Sequence, residues 1–111
     1  NIIMANAKIV NTPSQAIPQY GAPHTQVTVG LTAVALLGTL TLNAETTHVL
    51  IQFTGANARV TFDGTSPTTS KGFIYSDGST AYLTRNMASA AKAIRDDSTN
   101  LIVEIQELNF L

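Results

Sequence analysis

The chain has 111 residues, 44 % of them hydrophobic and only 12 % charged, with a formal net charge of -1 and no cysteine. That length fits one domain with one modest core, the charge balance supplies no basic face for nucleic acid, and without cysteine there is neither a disulfide framework nor a thiolate metal site. The charged share is about half the usual one, and Thr, Ser, Asn and Ala take its place, a blend suited to β-sheet surfaces and subunit contacts. The longest apolar stretch, residues 31–42, is interrupted by Thr32, Gly38, Thr39 and Thr41 and is too short to cross a bilayer. The first residues lack the basic start and long apolar centre of a signal peptide.

Residues 1–24 read as an extended N-terminal arm. Ile2, Ile3, Met4, Ile9, Val10, Ile17 and Tyr20 give it apolar area, and residues 7–11 suit one short strand. Pro13, Pro18 and Pro23 each lack an N–H and bias the preceding residue away from helix. The apolar content points to an arm lying on the domain or on a neighbouring subunit, because disordered tails are usually polar. The arm is expected to be mobile in isolation and ordered on an assembly.

Residues 25–111 read as one β domain. From 25 to 43, Val27, Val29, Leu31, Ala33, Ala35 and Leu37 share a parity that changes at Gly38, which predicts a bulge or a turn there. Residues 47–84 are the organising stretch. Val49, Ile51 and Phe53 alternate with polar neighbours, Gly55-Ala56-Asn57 breaks the run, and Val60 and Phe62 alternate after it, a pattern that predicts an antiparallel hairpin. Asp63-Gly64 and Asp77-Gly78 are turn dipeptides. Met87, Ala90, Ala91 and Ile94 form a helical stripe within residues 86–95, capped by Asn86 and ending on Arg95. Residues 101–108 are a final apolar strand, followed by Phe110 and Leu111. Val49, Ile51, Phe53, Val60, Phe62 and Val103 are the expected core. The pattern predicts an all-β protein, an antiparallel jelly-roll-like β-sandwich with one short helix in the C-terminal third; a small closed barrel is the alternative.

Candidate chemistry is thin. His24 and His48 are the only histidines, and a metal site would need further ligands at fixed geometry. The aspartates at 63, 77, 96 and 97 fall in turns, and Asp63-Gly64-Thr65-Ser66 lacks the alternating acids of a calcium loop. Ser66, Ser70 and Ser76 lack a nucleophile-elbow pattern. No catalytic residue, cofactor or metal is therefore predicted, and the protein is expected not to be an enzyme. With no Trp in the chain, Tyr75 and Tyr82, flanking the Asp77-Gly78 turn, could make only a small sugar platform, and strand-end packing with the hydroxyls in water is the preferred reading of them.

Residues 47–108 resemble a known family. The run Val49-Leu50-Ile51-Gln52-Phe53, then Ala58-Arg59-Val60-Thr61-Phe62-Asp63-Gly64-Thr65-Ser66-Pro67-Thr68, then Gly72, Ser76-Asp77-Gly78 and the late apolar strand, is similar to the capsid cement, or decoration, proteins of short-tailed bacteriophages of the epsilon-fifteen type. The resemblance implies a virion protein on the outer surface of an icosahedral shell, stapling adjacent copies of the major capsid protein and contacting copies of itself, with no nucleic acid and no membrane as partner. The family has no catalytic residues to carry over. The interface is expected in Ile2, Ile3, Met4, Ile9, Val10, Ile17, Tyr20, Phe110 and Leu111. The alternative is a phage fibre, tail or head–tail accessory module that binds a glycan or receptor.

Overall fold

The computed structural model describes residues 16–18 and 22–110, with only the backbone of Ala16–Pro18 and Phe110. The described elements are, in order, β1 (Ala16–Pro18), β2 (Thr25–Val29), β3 (Val34–Ala35), β4 (His48–Thr54), β5 (Ala58–Thr61), β6 (Phe73–Tyr75), β7 (Thr80–Thr84), α1 (Arg85–Ala90), β8 (Lys92–Arg95) and β9 (Leu101–Phe110). The protein is mostly β, with one short helix among the described residues. β9, β4 and β7 run side by side in the first sheet, and β1 and β2 share the outer edge of β9. The second sheet has the order β3-β8-β5-β6. Every pairing is antiparallel, and the strands nest: β2 with β9, β3 with β8, β4 with β7, β5 with β6.

The two sheets form a β-sandwich-like arrangement around one core. On β4, Val49, Ile51 and Phe53 are buried while Leu50 and Gln52 face outward, the alternation of a strand with one wet face. Leu101, Val103 and Ile105 of β9 and Val29 of β2 point the same way. Ala58 and Val60 of β5, Ala93 of β8 and Leu36 meet them in the same cluster. Of the predicted core, Val49, Ile51, Phe53, Val60 and Val103 are buried. Phe62 is only partly buried against the cluster, because it lies just past β5 and turns toward Phe73, with ring centroids 5.9 Å apart.

Three expectations are corrected. The predicted hairpin at 49–62 does not exist: β4 and β5 lie in different sheets. Residues 55–57 form a corner whose backbone bonds go elsewhere. Asp77 Oδ1 accepts from Gly55 N (3.0 Å), Thr99 Oγ1 donates to Gly55 O (2.6 Å), and Asp96 N donates to Asn57 O (2.8 Å). The predicted helix at 86–95 is shorter and differently capped. It ends at Ala90, its cap is Thr84, whose hydroxyl accepts from Met87 N (3.3 Å), and Lys92–Arg95 is a strand between β3 and β5. Alanine propensity is a weak prior, and burial of Ala93 at 0 % and Ile94 at 8 % exposure overrides it. The long first β region is broken as well. β2 stops at Val29, Leu31 is 68 % exposed, and Leu36 and Leu37 are both buried in the turn that follows β3. Gly38, where the parity changes, does take a turn, with φ 60 and its N–H donating to Ala35 O.

Candidate interaction surfaces

The expected interface residues fall mostly outside the described part of the chain: Ile2, Ile3, Met4, Ile9, Val10, Tyr20 and Leu111 lie there. Ile17 and Phe110 are placed by backbone. Ala16 pairs with Phe110, Ile17 with Asn109 and Pro18 with Leu108, so this part of the arm adds a strand to its own sheet. Residues 16–18 and 108–110, singled out separately in the sequence, therefore meet along one edge.

The described surface carries other features that periodicity did not reveal. Phe73 (67 % exposed) and Ile74 (62 %) sit on the edge strand β6, and Tyr82 (66 %) sits on the edge strand β7. Beside Phe73 opens a cleft of about 520 Å3 with Val60, Phe62, Lys71 and Gly72 on its walls. On its rim Asp63 Oδ1 accepts from Thr65 N (3.1 Å) and Thr65 Oγ1 (2.6 Å). These bonds hold the Asp63 carboxyl below its ordinary range, and the same aspartate makes the turn that the sequence predicts. The Tyr75–Tyr82 platform does not form. Tyr75 stacks on Phe53 in the core, centroids 4.7 Å apart, while Tyr82 lies on the outer face of the first sheet, opposite Leu50.

That outer face carries an ordered polar surface. Register sets two rows across it. Thr80, Gln52, Glu104 and Gln26 form one row through β7, β4, β9 and β2. Tyr82, Leu50 and Gln106 form the next. His24 Nε2 donates to Glu104 Oε1 (2.5 Å) and Gln26 Nε2 to Glu104 Oε2 (2.8 Å). These two bonds lower the Glu104 pKa, so the carboxylate is ionised at neutral pH. A shallow hollow of about 180 Å3 lies here, lined by His24, Leu50, Gln52, Thr80, Glu104 and Gln106. Gln26 and Glu104 are 78 residues apart in sequence, so no local pattern could have paired them. Only the alternation of β4 and β9 hinted that their polar positions share a face.

Among the described residues no group of three His, Asp or Glu side chains is placed to hold a metal ion. Glu107, the one buried acid among the described residues, is 2 % exposed and works on the fold: its Oε1 accepts from Asn43 N (2.8 Å) and Thr46 Oγ1 (2.6 Å). Arg85 Nη1 holds the same turn from the other side, donating to Asn43 O (2.6 Å) and Thr46 O (3.0 Å).

Comparison with known proteins finds no matching family model, no matching curated protein and no matching solved structure.

Proposed function

We propose that this chain is a structural protein of a bacteriophage particle that binds the outer surface of the capsid and staples adjacent major capsid proteins. The observation that carries the reading is the nested strand order. Eight strands pair first with last, second with next-to-last, and so inward to β5 with β6. That winding supports a jelly roll, an architecture used by viral capsid and lectin domains. Two further features support a role in assembly rather than catalysis. The low charge limits repulsion between closely packed copies. The residues before Ala16 are rich in apolar side chains that could serve as contact area. On a shell, many modest contacts of this kind add by avidity.

Fractionation of particles tests the proposal. A stapling protein co-purifies with shells at close to the copy number of the major capsid protein. Recovery in only a few copies per particle would instead favour a fibre, tail or head–tail accessory module, and absence from particles would end both readings.

A further inference from the structure

We propose that the outer face of the first sheet is a binding site for neutral glycans, centred on Glu104, Gln52 and Tyr82. The inference does not rest on the shell reading; a glycan site would serve a decoration protein or a fibre module equally.

A sugar presents vicinal hydroxyls on its edges and a patch of C–H groups on its face. The edges want planar acceptors and donors held in place, and the C–H face wants an exposed ring. Glu104 is such an acceptor. Each of its oxygens takes one hydrogen bond, Oε1 from His24 and Oε2 from Gln26. Each keeps a further lone pair, so the carboxylate is oriented yet still able to accept from two neighbouring hydroxyls. Gln52 lies beside it in the same row and is exposed, with an amide that both donates and accepts. Thr80 extends that row on β7 and Gln106 stands in the next. Tyr82, 66 % exposed and diagonal to Gln52 across β4 and β7, supplies the ring. Diagonal neighbours on one sheet face are within reach of aromatic side chains.

Charge selects the class. The hollow is lined by one carboxylate, Glu104, together with His24, Leu50, Gln52, Thr80 and Gln106, with no Lys or Arg. Sialylated, phosphorylated or sulfated sugars would be repelled by Glu104, whereas neutral hexoses and N-acetylhexosamines would not. The arrangement also differs from what a buried protein–protein contact wants at its centre, where charged groups are depleted.

The test is heteronuclear NMR on the full chain, titrated with methyl glycosides and short neutral oligosaccharides of glucose, galactose, mannose and N-acetylglucosamine, with a sialylated oligosaccharide as the anionic control. The expected result is saturable shifts of the backbone amides at 50–52, 80–82 and 104–106 with at least one neutral sugar, and none there with the sialylated one. Tyr82→Ala and Gln52→Ala should each weaken binding at least tenfold, while Met87→Ala, an exposed change on α1, leaves it unchanged. Spectra of each variant show directly whether the fold is kept, and Glu104→Gln gives an independent reading if one of them misfolds. No shift with any neutral sugar, shifts confined to the loops, or equal binding by the Tyr82 and Gln52 variants would overturn the proposal.

Discussion

Phe53 and Phe62 look alike in the sequence, each at an apolar position of an alternating run, yet they carry different loads. Phe53 is 1 % exposed and stacks on Tyr75. Its replacement by Ala should cost about 3–5 kcal/mol, the range for a large side chain removed from a packed core. Phe62 is partly buried and shares an open cleft with Phe73. Phe62→Ala should cost about 1–2 kcal/mol, because solvent already reaches the site and only part of the apolar transfer is lost. Urea denaturation of both variants decides: equal losses would mean that Phe62 is a core residue. Glu107 is a second residue whose work shows only in three dimensions. Replacing it with Ala leaves the Asn43 N–H and the Thr46 hydroxyl without their acceptor, at a cost of about 1–3 kcal/mol. A neutral result in the same assay would mean that water takes the place of the carboxylate.

Among the strands, the sequence made faces legible and partners illegible. Val49, Ile51 and Phe53 alternate whether β4 pairs with β5 across a tight turn or with β7 and β9 in another sheet, so parity placed the side chains but not the neighbours. What decides is the corner at 55–57, where the Asp77 carboxylate, the Thr99 hydroxyl and the Asp96 N–H bind its backbone. All three come from turns distant in sequence. The segment 85–95 shows the opposite failure. Its alanines suit a helix locally, but the gap between β3 and β5 needs a strand, and Lys92–Arg95 fills it with register to both. Hydrogen exchange tests this reading. The amides of Lys92–Arg95 that bond to β3 and β5 should exchange as slowly as those of Ala58–Thr61, and far more slowly than those of Arg85–Ala90. Uniform protection from 85 to 95 would restore one continuous helix.

β1 and the residues before it are expected to make two kinds of contribution, which truncation can tell apart. β1 is held to its own sheet, and Leu108, opposite Pro18 in the register, is 5 % exposed. Deleting residues 1–23 removes β1 and frees the edge of β9 at 108–110. With two or three backbone hydrogen bonds lost at about 0.5–1.5 kcal/mol each, the domain should lose roughly 1–4.5 kcal/mol. Deleting only residues 1–15 leaves β1 in place and should leave stability unchanged. Attachment to shells is expected to behave differently. Ile2, Ile3, Met4, Ile9 and Val10 all lie before Ala16, and each contributes roughly 1.5–3 kcal/mol in gross transfer terms when buried against a partner. Ordering the backbone costs about 1–2 kcal/mol per residue, so net attachment arises only where the partner offers a ready groove. The shorter deletion should therefore weaken shell binding as much as the longer one while keeping full stability, measured by co-sedimentation with shells and by thermal unfolding. If the chain lacking residues 1–15 binds shells as tightly as the full chain, the contact lies on the sandwich, and the exposed edges at Phe73, Ile74 and Tyr82 become the surfaces to mutate.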